Sequence, residues 1–476
     1  MVFGRPDVPR ASPSAREKAC RLLERALGPS KVLTAADSCE RFASDESEAL
    51  GVTPDAVVLA ESQADILAAL EAAREAEVPI TPRAAGTGRT GGAVPVAGGI
   101  VLSTLGMSSI KDVDRREGVA VVEPGVVLQD LHAAVEREGW FYPPDPNSLG
   151  ACAIGGNVAE NAGGPRAFKY GVTREYVLGV EAMLIGGQRI LAGRRTFKGV
   201  TGYDVTGLLV GSEGTLAVFG DITLKLVPRP PHVMTLMTLF GSVHQAGKAV
   251  EEMVAAGLVP RCIEFLDGPT LEAMRRAGNP LNPEAGAMLL LEVDGEEREC
   301  ERQAERIAGA CTDVKALEVL VAQDATQRER LWAARREMSS AVRRLTKFKL
   351  SEDVVVPRQK IGELLDRVAK TSEATGIFSL TYGHAGDGNL HVNFLWNDDS
   401  ELPRVETAIE TLFRNVISLG GTLSGEHGIG VLKAPYLPLE QTPELIALQR
   451  DLKRVFDPRG LLNPGKIFPA GSHRAC

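Results

Sequence analysis

Residues 79–92 read Pro79-Ile80-Thr81-Pro82-Arg83-Ala84-Ala85-Gly86-Thr87-Gly88-Arg89-Thr90-Gly91-Gly92. The stretch begins as a short strand and opens into a glycine-rich loop. Backwards from it, residues 62–78 read as a helix, with Ser62 as N-cap and Ile66, Leu67, Leu70 and Ala73 on one face. Residues 55–60 (DAVVLA) read as a strand before that helix, and Gly99-Ile100-Val101-Leu102 as a strand after the loop. Glycines permit positive φ and let backbone N–H groups approach an anion, so the loop reads either as a phosphate cradle or as a plain surface turn. It is not Walker A, because no GK[ST] follows. It is not a Rossmann turn, because a strand rather than a helix comes next.

Outward from this stretch, residues 16–28 predict an amphipathic helix ending at Gly28, behind an N-terminal tail. Val119–Val122 predicts a strand, residues 123–126 a turn and 128–138 a helix. Residues 143–164 are low in charge and rich in Gly, Ala and Asn, a composition that argues against a strong core helix. Such a run could wrap a large flat ligand with backbone N–H groups and little side-chain bulk. Strands at 177–185 and 188–192 flank Gly186-Gly187, read as a two-residue hairpin turn, and Lys198–Asp204 leads on towards a strand at 221–227. Pro228-Arg229-Pro230-Pro231 is the clearest linker and the expected main boundary.

Beyond it, strands at 233–240, 262–266 and 286–293 alternate with helices at 242–256, 269–277 and 295–309, an α+β unit around an antiparallel sheet. A charged helix at 324–347, a strand at 353–356, a helix at 359–375 and a strand at 378–382 follow, then helices at 402–419 and 443–455. Between these lie two glycine-rich patches, Gly383–Asn393 and Ser424–Gly430. The first holds His384, expected on a loop, and His391, expected on a strand that shares a face with Asn393. The second holds Glu426 and His427. Two imidazoles and a carboxylate suit a catalytic divalent metal with an open position; hydrogen-bonded structural histidines are the other reading.

The chain has 476 residues, too many for one ordinary domain, with 44% hydrophobic and 24% charged residues, as in a globular protein. The net charge of -9, without a basic stripe, argues against nucleic acid. No apolar run reaches the length of a membrane span, and the first residues lack the apolar core of a secretory signal. Seven scattered cysteines without a CxxC argue against a disulfide framework or iron–sulfur cluster and for a reducing compartment.

Taken together, Pro82–Gly88, Pro143–Pro146, Ile154–Gly164, Gly211–Thr215, the two His/Glu patches and Asn463–Lys466 resemble the FAD-linked oxidoreductases of the vanillyl-alcohol oxidase / p-cresol methylhydroxylase (PCMH) superfamily. Within it, the chain is most similar to the 2-hydroxyacid dehydrogenases of glycolate oxidase flavoprotein and D-lactate dehydrogenase type. The resemblance spans about residues 40–468. It implies an α+β fold: a tail and helix at 1–50, a two-subdomain PCMH-type FAD-binding domain at 51–230, and an α+β C-terminal substrate and metal domain with an antiparallel sheet at 231–470.

It implies FAD, with the pyrophosphate on Arg83, Ala85, Gly86, Thr87 and Gly88. The rest of the cofactor would meet Pro144, Asp145, Ile154, Gly155, Gly156, Asn157, Asn161, Gly163, Gly164, Glu213, Gly214, Val218 and Asn463. The pyrophosphate loop has no histidine to tether a flavin, so the FAD is expected to be non-covalent. The resemblance also implies a divalent metal (Zn, Mn or Fe) on His384, His391 and Glu426, with His427 as general base. Asn393 would orient the metal or substrate. Arg335 would pair with the substrate carboxylate, or else be one solvated charge on its helix. A hydride would pass from the substrate's Cα to flavin N5 as its hydroxyl loses a proton.

Ala84 and Arg89 depart from the family's usual loop, and Lys347 and Lys349 sit out of register for a second carboxylate contact. A monocarboxylate, glycolate or D-lactate, is therefore favoured over 2-hydroxyglutarate. The expected partners are an external electron acceptor (a quinone, a cytochrome, or a flavoprotein or iron–sulfur subunit) and further copies in an oligomer. The expected location is cytoplasmic, or peripheral at the inner membrane through those partners. A metal-dependent hydrolase is the alternative if no flavin binds, and a non-catalytic flavin-binding subunit would not need the metal patches.

Overall fold

The computed structural model describes residues 8–49 and 51–469, the side chains of residues 334, 336, 337, 339 and 340 excepted. The start of the N-terminal tail, residues 1–7, and Cys476 lie outside the described residues. Two compact units form. The first is assembled from Met1–Gly163, Val172–Arg229 and Glu426–Cys476, the second from Gly164–Gly171 and Pro230–Gly425.

In the first unit, strands β1 (Val32–Leu33), β2 (Ala56–Leu59), β3 (Ile80–Arg83) and β4 (Ile100–Ser103) form a sheet in the order β1-β2-β4-β3. β4 runs parallel to both β2 and β3, with Ala56 and Ile80 each opposite Ile100. The connection from β2 to β3 is the helix Gln63–Ala76, which starts where the Ser62 hydroxyl accepts from Asp65 N. Ile66, Ala69, Leu70 and Ala73 of this helix join Ala19 and Leu23 of the helix Pro13–Leu27 in one core. Leu461 and Leu462, from the end of the chain, complete it.

A second sheet of this unit, all antiparallel, has the order β5-β6-β10-β8-β9. Its strands are β5 (Ile110–Asp114), β6 (Val119–Val122), β8 (Val177–Met183), β9 (Arg189–Gly193) and β10 (Val218–Lys225), and β9 is an edge. The two-stranded pair is β7 (Trp140–Phe141) with β11 (Val227–Pro228).

Two local expectations fail here. The β8–β9 tip is longer than Gly186-Gly187, since Leu184 N donates to Gln188 O and three residues lie between them. The segment 154–164 is not without a buried helix. Ile154–Glu160 is helical, with Ile154, Gly155, Asn157 and Val158 buried. The glycine enables this packing, since a Cβ on Gly155 would stand 2.7 Å from Pro124 Cβ.

The second unit is a seven-stranded antiparallel sheet in the order β15-β12-β14-β13-β17-β18-β16. Its strands are β12 (His232–Phe240), β13 (Cys262–Asp267), β14 (Ala287–Gly295), β15 (Glu318–Val321), β16 (Phe348–Val355), β17 (Phe378–His384) and β18 (Asn389–Trp396). Every residue of β13 and β18 is buried, so both faces of the sheet are covered. On one face, the helices Gly268–Arg276 and Ala325–Arg343 pack Leu271, Met274, Met338 and Val342 onto Leu266, Leu290, Leu380 and Leu395. The strand expected at 353–356 begins earlier, at Phe348, and the helix before it ends at Arg343 rather than 347. Lys349 is therefore a strand residue.

Candidate functional site

In the second unit, strand register gathers the polar residues on one face. Glu264 of β13 lies opposite His384 of β17, which lies opposite Asn389 of β18. One step along, Tyr382 lies opposite His391, which lies opposite Asp353 of β16. His384 is the last residue of β17 rather than a loop residue. His391 and Asn393 share a face as alternation requires.

Glu264 has no solvent exposure and is the centre of the group. One of its oxygens pairs with His384 Nδ1; the other accepts from Arg335 Nε at 3.0 Å and Arg335 Nη2 at 2.7 Å. Burial alone would raise the Glu264 carboxyl, but His384 and Arg335 outweigh it and hold it below the ordinary range. Arg335 is itself buried, so the solvated-charge reading of it fails. Its guanidinium lies 5.3 Å from the centre of the Tyr382 ring, and Lys349 Nζ lies 5.5 Å from the same ring.

Lys349 Nζ also donates to Tyr382 Oη at 3.0 Å, and Tyr382 Oη donates to Asn393 Oδ1 at 3.2 Å. Asn393 Nδ2 donates to the His391 carbonyl at 2.9 Å. Asn393 thus fixes the backbone that carries His391. The His384 and His391 rings stand nearly perpendicular, 88° apart, with centroids 5.4 Å apart. A neutral His384 that donates a hydrogen bond from Nδ1–H to Glu264 carries its lone pair on Nε2, the nitrogen that can ligate a metal. The chemistry of this set therefore fits a divalent cation.

Asp353 accepts from Ser424 Oγ at 2.8 Å and Gly425 N at 2.9 Å, which anchors the last residues of this unit. Glu426 and His427, the next two residues, belong to the first unit. There the His427 carbonyl accepts from Thr90 Oγ1 at 3.1 Å, and Glu426 lies against Gly163.

The glycine loop of the first unit has its own signature. From Ala84 to Gly92 no backbone N–H donates to a protein acceptor among the described residues. The loop is half-buried at Ala84–Arg89 and buried at Thr90–Gly92. Enclosed N–H groups need acceptors, so a run of this kind fits an anionic ligand such as a pyrophosphate. Arg83 reaches back to the Ser44 carbonyl at 2.8 Å and lies along Gly86, whose φ is 72°.

Around the loop, the Glu213 carboxylate accepts from Ile429 N at 2.8 Å and Gly430 N at 2.7 Å. Asn463 Nδ2 donates to the carbonyls of Gly92 and Glu213. Glu160 is raised well above the usual carboxyl range by burial and by Glu213. Burial pushes Lys466 down to about 7, although Asp45, Glu213 and Glu160 oppose it. Gly214, with φ 64°, lies against Pro82 and Asn463. Ile154 and Val218 are buried core side chains. The Pro144 carbonyl meets a His132 ring nitrogen at 3.0 Å.

Sequence reasoning missed Glu264, Asp353, Tyr382 and Asn389. The available signal was a carboxylate in the middle of the apolar run Cys262–Leu266.

The FAD binding domain family matches residues 54–192, and the family of FAD linked oxidases, C-terminal domain, matches residues 229–467. The chain is 42% identical over 421 residues to glycolate oxidase subunit GlcD of Bacillus subtilis (strain 168), covering 87% of this chain and 89% of that protein. It is 35% identical to D-lactate dehydrogenase of Anaerostipes hadrus, covering 93% and 95%. A crystal structure of p-cresol methylhydroxylase with substrate bound shares the fold, with a TM-score of 0.82 at 15% identity over 97% of this chain and 98% of that one. With both domain families in order along it, the chain is an FAD-linked oxidoreductase and belongs to the FAD-linked oxidase family.

Proposed function

We propose that the chain oxidises a small 2-hydroxy acid, glycolate or D-lactate, to the 2-oxo acid, using non-covalent FAD and a divalent metal (Zn, Mn or Fe) on His384, His391 and Glu426. The observation that carries the metal reading is Glu264 on His384 Nδ1 beside the perpendicular His391 ring, since a carboxylate behind an imidazole is how metal-ligating histidines are oriented. The substrate class is supported by the relatives, named for glycolate and D-lactate. When bound, FAD supplies the acceptor for the hydride leaving the substrate's Cα, and the metal supplies acidification of its hydroxyl.

His427 takes the hydroxyl proton on its imidazole. Arg335 turns the N–H groups that Glu264 does not use towards the substrate carboxylate. Asn393 and Tyr382 hold His391 in place. The N–H groups of Ala84–Gly92 hold the pyrophosphate. The two electrons then leave to an external acceptor: a quinone, a cytochrome, or a flavoprotein or iron–sulfur partner.

The test is dichlorophenolindophenol reduction by metal-replete protein over a panel of D- and L-2-hydroxy acids. Glycolate or D-lactate should drive it, chelation should stop it, and divalent metal should restore it. A panel without any active 2-hydroxy acid would remove the reading. Acid precipitation should release the flavin to the supernatant, and colour left on the denatured chain would exclude non-covalent FAD. One observation favours a second substrate: Lys349 beside Tyr382 supplies a second cation, suited to a dicarboxylate such as D-2-hydroxyglutarate. In that case Lys349→Ala should raise KM for the dicarboxylate and leave KM for D-lactate unchanged.

A further inference from the structure

The link between β9 and the short helix Val205–Leu209 is Arg194-Arg195-Thr196-Phe197-Lys198-Gly199-Val200-Thr201-Gly202-Tyr203-Asp204. Its apolar side chains are turned to solvent: Val200 is 98% exposed, Tyr203 97% and Phe197 55%. Leu191, on the adjoining edge strand β9, is 71% exposed. Exposed apolar residues scattered singly need no explanation, but here four fall within thirteen residues, on one edge strand and the loop that follows it.

Charge sets this patch apart from the rest of the molecule. The chain carries a net charge of -9, yet residues 186–203 contain no Asp or Glu and four basic residues. Arg189 pairs with Glu181 at 2.6 Å. Arg195 pairs with Asp112 at 2.5 Å and Asp114 at 3.0 Å. Asp204 is occupied as a helix cap, accepting from Gly207 N at 2.8 Å. Arg194 and Lys198 have no carboxylate within ion-pair distance among the described residues, and they flank Phe197.

Aromatic and aliphatic tips beside unneutralised cations are the composition that partitions to an anionic lipid–water interface. The rings enter the headgroup region and the cations stay with the phosphates. A water-soluble acidic partner would complement Arg194 and Lys198, but would leave the three apolar tips without a counterpart.

We propose that the β9 edge and the 194–203 loop form a docking surface for an anionic lipid bilayer. This surface brings the enzyme to a membrane without a spanning segment; no helix among the described residues is long and apolar enough to cross one.

The test is co-sedimentation of the purified, FAD-loaded full chain with vesicles of phosphatidylcholine alone and of phosphatidylcholine with phosphatidylglycerol. The wild type should sediment with the anionic vesicles, remain in the supernatant with the neutral ones, and be released by high salt. Removing both unpaired cations, in R194E/K198E, should weaken partition at least about 30-fold, roughly fivefold for each basic group lost. F197S/Y203S should weaken it as well at low salt, with FAD content unchanged in both variants. Wild type that stays in the supernatant with anionic vesicles overturns the proposal, as do variants that sediment like the wild type. Binding to an acidic protein with none to anionic vesicles overturns it too.

Discussion

A carboxylate inside a fully buried strand survives because a guanidinium and an imidazole face it. Glu264 has Arg335 on one oxygen and His384 on the other. Removing one member of such a pair leaves the remaining charge uncompensated, at roughly 3–5 kcal/mol. Glu264→Ala should lower stability in urea by that order. Glu264→Gln keeps the shape but loses the anionic acceptor behind His384, and should reduce metal affinity about 10–100-fold, read as metal retained after dialysis. Full metal retention in that variant would mean that His384 is not a ligand. The base assignment has a separate signature. His427→Ala should keep metal and FAD and lose about 10²–10⁴-fold in kcat, with part of the loss recovered at high pH. Loss of metal in the same variant would move His427 from base to ligand. The histidines, Glu426 and Arg335 could be picked out as candidates from sequence because they are polar residues in glycine-rich or charged surroundings. Glu264 could not, because only strand register, which links positions 120 residues apart, brings it to His384.

Among the elements, the hairpin β17–β18 shows why boundaries were harder to read than identities. Gly383 and His384 read as loop because glycine normally marks a turn. They remain in the strand because β13 pairs with them through Phe265 and Glu264. The helix at Ile154–Glu160 was hidden for the complementary reason: two glycines lower its propensity, but the close approach to Pro124 requires one of them. The start of β16 was obscured by charge, since Lys349 and Glu352 interrupt its apolar pattern and are used inside the sheet.

The helix Gly268–Arg276 starts at a buried carboxylate. Its cap, Asp267, accepts from Thr270 N, Thr270 Oγ1 and Thr381 N. Burial nevertheless pushes its carboxyl up to about 6, because the cost of enclosing the charge exceeds what those donors return. A raised carboxyl contributes stability below its unfolded value, about 3.9, and loses it as pH rises through about 6. The stability difference between wild type and Asp267→Asn should therefore shift in favour of wild type by about 1 kcal/mol between pH 8 and pH 5, by urea unfolding. A difference independent of pH would place the carboxyl near its ordinary value.

For the whole molecule, the decisive fact is that the first unit is built from both ends of the chain. Leu461 and Leu462 lie in its core beside Ile66, Leu70 and Ile80, and the Leu461 carbonyl accepts from Ile80 N at 2.9 Å. Leu462→Ala should cost about 2–5 kcal/mol, and the loss should appear in the first unit's amide protection rather than in that of the seven-stranded sheet. Equal loss of protection in both would show that they unfold as one. The domain families were legible as motifs in order along the chain. The return of residues 426–469 to the first unit was not, because no composition shift marks Gly425.

That interleaving imposes an order on biosynthesis. Residues 230–425 leave the ribosome as one uninterrupted run and, apart from the short Gly164–Gly171 piece already made, hold all of the second unit. The glycine loop emerges long before them. Yet the Asn463 amide that bridges Gly92 and Glu213, and the Lys466 ammonium that donates to the Val94 carbonyl, are translated only after that run. A nascent chain therefore carries its glycine loop without these braces until the whole of the second unit has been made.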